Sequence, residues 1–474
     1  MNSSKTWKLL VLVTIPIIMW FMSPPTGLSV TAWRIFAIYF SAILGLILKP
    51  FSEPVIIISA VAASAIFMNN TRDVLSGYAS TTTWIIFAAF SLSSAFVATG
   101  LGRRIAYILI GKLGSTTLRL GYVTAILDLL LAPATPSNTA RAGGIIFPIM
   151  NSVALALGSE PGKTPRKAGA YLMINTYMVT KITSLMFLTG MAANVLALDY
   201  ITKLLEPSID WMVWAKGLFV PGFLLLLIIP WIVYKMETPE LKEVDNKTIA
   251  AAGLASLGPM KKSEKSLILV FVLALLGWSM PSVLKELFGM KIPLNATAVA
   301  IAAMGLLFLL DVIPWSEMEK AKGGWNTLIW FGGVIGLSGV LSKAKFFEWL
   351  AKVMQANLHF GDNTTLSLWI IIFVSVIIRY LFASGSAYIV AMLPVFITVG
   401  KVAGIQPMTL ALALAASNSY GGALTQYGGA AAPIIFGAGY NDTKRWWITG
   451  GVVAIVCYLV MMTIGLAWWK IVGL

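Results

Sequence analysis

The sequence predicts an all-α polytopic membrane protein with about 11 transmembrane helices, two re-entrant hairpins and an inverted repeat. Its 474 residues are 58% hydrophobic and only 11% charged, with a mean hydropathy of +0.85. A soluble domain carries about 25% charged residues. Apolar stretches long enough to cross a bilayer recur along the chain, and corresponding interruptions occur in its two halves.

The composition excludes several other classes. A chain this apolar is neither disordered nor a soluble α/β enzyme. With Cys457 as its one cysteine and His359 as its one histidine, the chain forms no internal disulfide and builds no zinc site from these residues alone. The net charge of +15 does not indicate nucleic-acid binding, because the basic residues lie in short loops between apolar stretches. The expected surroundings are a lipid bilayer.

Eleven apolar stretches are interpreted as membrane spans. The first follows Lys5 and Lys8 and lacks a cleavage pattern, so it is interpreted as a retained span rather than a signal peptide. The predicted spans are residues 7–23, 30–48, 54–70, 83–100, 170–197, 213–234, 266–287, 293–313, 325–342, 407–438 and 443–472.

Two further regions, 119–156 and 365–402, each contain two apolar runs that meet at a polar turn. Each run is too short to cross a bilayer comfortably, so both regions are predicted to be re-entrant hairpins. With the N-terminus inside, twenty of the 34 basic residues fall in inside loops and eleven outside. This asymmetry supports that orientation and places the long polar loop 236–264 in the cytoplasm.

The two halves of the chain repeat four features in the same order. The stretch TWIIFAA at Thr83 resembles TLIWFGG at Thr327, and each is followed by an amphipathic segment and a hairpin. Beyond each hairpin, a run of small residues interrupts a long span, at 188–194 and 424–430. An odd number of crossings separates the units, so they have opposite orientation. Interrupted segments at matching places in inverted halves point to the binding site of a transporter.

The hairpin turns carry polar groups suited to an anion. The first turn offers Ser137, Asn138 and Thr139, and the second offers Ser384, Gly385 and Ser386. Helix termini leave backbone N–H groups unpaired and favour negative charge, while hydroxyl and amide groups add donors. Two such turns could each hold one end of a dicarboxylate. The alternative is that these side chains only cap helices.

The interrupted spans add further candidate binding residues. Thr189, Gly190 and Asn194 break the first span, and Thr425 and Gln426 break the second. Unwound backbone at this depth is tolerated only within protein or beside a water-filled cavity. A glycine kink at a helix crossing is the alternative for each break.

Four ionisable residues lie at membrane depth, where charge is costly and usually functional. Lys181 and Arg141 are the candidates for compensating the charge of a bound anion. Arg379 could instead snorkel or pair structurally, and Asp128 could neutralise Arg141 or Lys181.

The stretch APATPSNTARAGGIIFPI at residues 132–149 resembles the divalent anion/sodium symporter (DASS) family. It is most similar to the branch with bacterial citrate/succinate and tartrate/succinate antiporters and plastid 2-oxoglutarate/malate translocators. The resemblance implies a homodimer in which each subunit has a scaffold and a mobile transport domain, with an elevator motion. It implies no cofactor. The implied division is scaffold 1–118 and 266–360, transport domain 119–235 and 361–474, and a cytoplasmic loop 236–265.

The second turn departs from the family pattern, because it lacks the Asn and Thr of the sodium-coupled members. We therefore expect no metal site and a sodium-independent exchanger of dicarboxylates such as 2-oxoglutarate, malate or succinate, with citrate and tartrate as further candidates. The expected location is the bacterial plasma membrane. A sodium-coupled symporter of the same fold and an anion channel remain the alternatives, and an enzyme is not expected.

Overall fold

The computed structural model describes residues 3–205, 209–290, 292–357 and 363–474. His359 and the expected scaffold–transport boundary at 360/361 lie outside these residues, as does Lys291. The described residues form α-helices joined by short 3₁₀ and π segments, and among them the extended pairing is limited to one isolated bridge between Thr116 and Glu243.

The helices follow the predicted spans closely. They are α1 (Ser3–Phe21), α2 (Val30–Leu48), α3 (Glu53–Met68), α4 (Thr71–Leu75), α5 (Thr81–Thr99), α6 (Leu101–Leu113), α7 (Thr117–Leu131), α8 (Phe147–Ala156), α9 (Gly169–Met186), α10 (Ala192–Leu205), α11 (Trp211–Met236), α12 (Asn246–Leu257), α13 (Lys262–Phe288), α14 (Ala296–Leu309), α15 (Trp315–Glu319), α16 (Lys322–Lys343), α17 (Phe346–Asn357), α18 (Thr364–Arg379), α19 (Gly385–Val402), α20 (Pro407–Gly421), α21 (Ala432–Phe436), α22 (Thr443–Val460) and α23 (Leu466–Ile471).

Within the described ranges, eight helical segments are long and apolar enough to cross a membrane. Three of the predicted spans correspond to shorter apolar helices, α1, α3 and α14. Two long segments, Thr117–Ala134 and Gly385–Val402, belong to the predicted hairpins. The expectation that all hairpin runs are too short was therefore wrong for these two. The side chain of Thr116 caps α7 early, and Pro394 does not end α19, so both helices are longer than the apolar pattern suggested.

Both predicted breaks lie in buried helices at the centre of the protein. Every residue of α9 is buried, and the chain then leaves the helix at residues 187–191 before α10 begins. In the second half, α20 ends at Gly421 and the next helix begins only at Ala432. α9 packs against α20, and α10 packs against α19, so the interrupted helices of the two halves meet in the core.

The helices pack in two groups that surround one cavity. The hairpin and interrupted helices pack on one another, including α7 on α9, α18 on α20 and α10 on α19. A second group consists of α1, α2, α3, α5, α14 and α16. The segment between α11 and α13 contacts α6 and α7, because α12 packs on α6 and the backbone N–H of Thr117 donates to the Lys242 carbonyl.

Candidate functional site

A cavity of about 950 Å³ lies between the two hairpin turns. Seven residues selected from the sequence line it, namely Ser137, Asn138, Thr139, Lys181, Ser384, Gly385 and Ser386. The opposite wall comes from the second helix group and includes Ser93, Val97, Thr327 and Trp330. Near the rim, Lys49 pairs with Glu53 and Lys320 pairs with Glu317, so these charges are locally balanced.

The first turn presents a helix N-terminus to the cavity. The backbone N–H of Ala140 donates to the Ser137 hydroxyl oxygen at 3.2 Å, and the N–H of Arg141 donates to the Ser137 carbonyl. Thr139 begins a π-helical segment, Thr139–Ile146, a rare geometry that is frequent at functional sites. Residues 137–140 are half-buried, whereas both flanking segments are buried. Ser137 therefore caps the helix and keeps its O–H free to donate.

Asn138 has a fixed amide orientation. Its side-chain oxygen accepts hydrogen bonds from Ser184 Oγ at 2.8 Å and from Arg141 Nη2 at 3.3 Å. Because the oxygen is used by these two groups, the NH₂ group of Asn138 is left for the cavity. The first turn thus offers hydroxyl, amide and backbone donors together.

The second turn has the same cap but receives its amide from another helix. Ser384 accepts a hydrogen bond from the N–H of Ala387 and precedes α19. A Cβ on Gly385 would lie 3.4 Å from the side-chain oxygen of Asn418, which projects from α20 and lines the cavity. Asn418 thus supplies the amide that the Ser-Gly-Ser turn lacks. Sequence reasoning missed it, although an asparagine between two serines in an apolar span was a usable signal.

Arg141 lies behind the first turn and not in the cavity wall. Its guanidinium donates to the carbonyls of Thr135 and Gly190, and its Nε lies 2.5 Å from Asp128 Oδ1. Both side chains of this pair are 0% exposed. The carboxylate of Asp128 thus pairs with Arg141 within the same hairpin, and a role of Arg141 in compensating substrate charge stays a prediction.

Arg379 occupies the corresponding place behind the second turn, but it reaches the cavity. Its guanidinium donates to the carbonyls of Phe382 and Gly428 and to the side-chain oxygen of Asn418. The residue is 2% exposed and lines the cavity. Within the described part of the chain, no carboxylate pairs with it. The structural partners of Arg379 are therefore neutral carbonyl and amide oxygens.

Lys181 also reaches the cavity without an acidic partner among the described residues. It is 4% exposed, and its Nζ lies 4.7 Å from the centre of the Tyr177 ring. The ammonium group lies against the backbone of the second break, where Tyr177 also donates to the Gly422 carbonyl. Cation–π contact compensates part of the hydration that the ammonium group loses on burial.

The first break supports the turn from behind. Thr189 donates to the Pro133 carbonyl and accepts from the indole N–H of Trp211. Gly190 offers its carbonyl to Arg141, and Asn194 donates to the carbonyls of Ser184 and Phe187. These three residues were predicted to bind substrate, and none of them lines the cavity. Most of their polar groups bond within the protein, whereas the side-chain oxygen of Asn194 is buried without a hydrogen-bond partner among the described residues.

The second break is arranged similarly. Thr425 is buried and its carbonyl accepts from the N–H of Gly428, while Gln426 accepts from the indole N–H of Trp447. Neither residue lines the cavity, and their binding of substrate stays a prediction. Their neighbours Tyr427 and Gly429 line the cavity instead.

The cavity is suited to an anion. It combines two capped turns that offer neutral donors with two buried cations that lack acidic partners among the described residues. The described residues contain no group of three His, Cys, Asp or Glu side chains that could hold a metal ion.

The comparisons with known proteins agree with this architecture. Residues 3–474 match the family described as the sodium:sulfate symporter transmembrane region. The chain is 57% identical over 477 residues to the inner membrane protein YbhI of Escherichia coli, covering 99% of this chain and 98% of that protein. It is 39% identical to the putative malate transporter YflS of Bacillus subtilis, covering 100% and 98%. It is 33% identical to the citrate/succinate antiporter of Escherichia coli, covering 98% of both chains.

A solved structure shares the fold. The transporter MtrF of Neisseria gonorrhoeae aligns with a TM-score of 0.61 at 13% identity, over 99% of this chain and 95% of that chain. The resemblance stated from residues 132–149 is confirmed, as is the expectation of a transporter rather than an enzyme. The chain belongs to the sodium:sulfate symporter family, the DASS family, and is a multi-pass transporter of the plasma membrane.

Proposed function

We propose that this protein exchanges dicarboxylates such as 2-oxoglutarate, malate and succinate across the membrane by sodium-independent antiport. Citrate and tartrate are further candidate substrates. The observation that carries the proposal is the pair of cations, Lys181 and Arg379, that face the cavity beside the two capped turns. The names of relatives at 31–39% identity, which include antiporters of succinate with citrate or tartrate, support the substrate class.

The geometry supports one carboxylate at each turn. Ser137 and Asn138 offer donors on one side, and Ser384 and Asn418 offer donors on the other. Helix N-termini add favourable partial charge at both ends. A dicarboxylate carries two negative charges into this site, which matches the two cations there.

The bonds of the two arginines support sodium independence. A cation site for sodium would be built from carbonyl and amide oxygens. At the first turn, those of Thr135, Gly190 and Asn138 already accept from Arg141. At the second, the oxygens of Phe382, Gly428 and Asn418 accept from Arg379. A guanidinium is permanently charged and cannot dissociate as a sodium ion can.

Fixed cations also give a reason for obligatory exchange. When the cavity is empty, the charges of Lys181 and Arg379 would have to cross the bilayer without an anion. If this adds ~3 kcal/mol to the barrier, the empty carrier returns roughly a hundredfold more slowly than the loaded one. Counter-substrate on the opposite side then becomes necessary for turnover.

We also propose an elevator motion and a homodimer, as the family resemblance implies. The grouping of helices supports the elevator, because both turns and both breaks belong to one packing group and the opposite cavity wall belongs to the other. Re-entrant hairpins are part of the same proposal. The domain division stated above would let the hairpins and interrupted helices move together.

The deciding experiment is counterflow in proteoliposomes made with the purified full-length protein. Uptake of labelled 2-oxoglutarate, malate or succinate is measured while internal substrate and external sodium are varied separately. Uptake that needs internal dicarboxylate and ignores sodium is the expected result. Sodium-driven uptake into empty vesicles would indicate a symporter, and anion conductance without counterflow would indicate a channel. Either result would overturn the proposal.

A further inference from the structure

One buried pair differs in charge between the two repeats. In the first hairpin, Asp128 on α7 binds Arg141, thirteen residues later. In the second, Ser375 on α18 binds Tyr388, also thirteen residues later, at 2.6 Å between the two oxygens. Ser375 and Tyr388 each lie 247 residues after their counterparts, the same offset that separates Ser137 from Ser384.

The neighbours of the two pairs correspond as well. Thr183 of α9 donates to Asp128, and Ser417 of α20 bonds to Ser375. Each repeat also holds one guanidinium on two carbonyls, one before the turn and one in the break. The first repeat uses Arg141 for this and the second uses Arg379, which comes from the other helix of its hairpin. Among the residues that the structure describes, however, this guanidinium has an acidic partner only in the first repeat.

We propose that Asp128 determines the valence of the transported anion by cancelling the charge of Arg141. This inference rests on the proposed function and deepens it. With Asp128 present, the site offers the charges of Lys181 and Arg379, which suits a divalent anion. Without its carboxylate, Arg141 adds a third uncompensated charge, which suits a trivalent anion.

The position of the pair explains how it acts. Asp128 is fully buried and lies outside the described cavity wall, so it is a positioning residue that works through Arg141. Arg141 in turn donates to the side-chain oxygen of Asn138, whose amide lines the cavity. Only the side chain of Asn138 therefore separates the charge of Arg141 from the cavity at the first turn. At that separation and in a site of low dielectric constant, a change of one unit charge has a large effect on the interaction free energy with the bound anion.

The test compares succinate and citrate as competitors of labelled succinate counterflow, at a pH above the highest pKa of citrate. Asp128→Asn keeps the shape of the side chain and one acceptor oxygen but removes the charge. We expect the affinity for citrate relative to succinate to rise by about tenfold or more. Thr183→Val is the matched control, because it removes a hydrogen bond from the same carboxylate without changing charge, and it should leave this ratio unchanged.

Two further variants keep the test decisive if Asp128→Asn does not fold. The double variant Asp128→Asn with Arg141→Gln removes both charges and should keep the ratio of the unmodified protein. Ser375→Asp places a carboxylate one helical turn before Arg379 and should lower the ratio by about tenfold. An unchanged ratio in folded Asp128→Asn, or in Ser375→Asp, would overturn the inference. Failure of the unmodified protein to exchange succinate would instead count against the proposed function.

Discussion

The ammonium group of Lys181 lies where a side chain on Gly429 would begin. An ideal Cβ at residue 429 would be 2.8 Å from Lys181 Nζ, and one at Gly422 would be 3.1 Å from it. The bare backbone of the second break therefore provides the space that a lysine from the first repeat occupies. This contact joins the two halves of the chain at the cavity itself.

Gly429→Ala should displace the lysine from its position. The added methyl group fits only if the ammonium shifts by several tenths of an ångström, which removes it from the site it holds between the turns. We expect an apparent dicarboxylate affinity that is about tenfold weaker, because a misplaced charge loses much of its interaction with the anion. Competition in counterflow measures this. Gly451→Ala is the control, since a Cβ there meets no atom within 4 Å, and equal losses in both variants would contradict the prediction.

Lys181→Ala should weaken obligatory exchange. Removal of one fixed cation lowers the barrier for return of the empty carrier, so the ratio of exchange to net uptake should fall by as much as about a hundredfold. Dicarboxylate affinity should decrease at the same time. Uptake into loaded and empty proteoliposomes gives both quantities. Lys444→Ala, which changes an exposed lysine that does not line the cavity, should behave as the unmodified protein. Full exchange at normal affinity in Lys181→Ala would disprove this role.

Arg104→Ala should destabilise the fold rather than alter the site. Arg104 binds Glu264 through two hydrogen bonds of 2.8 and 3.1 Å, and it donates to the carbonyls of Gly258 and Pro259. Loss of one partner of a buried ion pair costs about 3–5 kcal/mol. A lower Tm in detergent is therefore expected. Lys163→Ala, which removes an exposed pair with Glu160, should change Tm little, and similar Tm values for the two variants would argue against this prediction.

Glu237 should give the protein a specific pH dependence of stability. Burial raises the pKa of the Glu237 carboxyl from its usual value of 4.5, although Arg445 and Thr449 oppose this shift. The folded state therefore holds the proton more tightly than the unfolded chain does. The contribution of this group is full below the unfolded pKa and is lost as pH rises through the higher folded pKa. The Tm of the unmodified protein relative to Glu237→Gln should fall across that window, and a difference independent of pH would contradict the assignment.

The sequence predicted the turns and breaks well because they depend on local chemistry. Ser137 and Ser384 are helix caps, and both breaks contain glycine, threonine and other small residues, which favour the end of a helix. Hydropathy located the helices because it also depends only on the local sequence. It was less useful for the hairpins, because Gly385–Val402 is as long and apolar as a membrane span.

The pairing of charged groups was less predictable because it depends on tertiary contacts. The sequence left open whether Asp128 neutralises Arg141 or Lys181, and the structure pairs it with Arg141. The role of Asn418 depends on how closely α20 approaches Gly385, which no local pattern encodes. The polar groups of Thr189 and Gln426 were predicted to bind substrate, yet they bond to neighbouring helices.

The two deep cations of the first repeat have different consequences for assembly. Arg141 pairs with Asp128 within the same hairpin, so these two charges cancel locally. Lys181 finds its place only against Gly422 and Gly429, which are synthesised more than two hundred residues later. The ammonium group of Lys181 therefore has no place in the folded core until the second half of the chain has been synthesised. Insertion of the final helices is the step that completes both the core and the cavity, and a chain truncated before residue 422 should be recognised by quality-control proteases as unfinished.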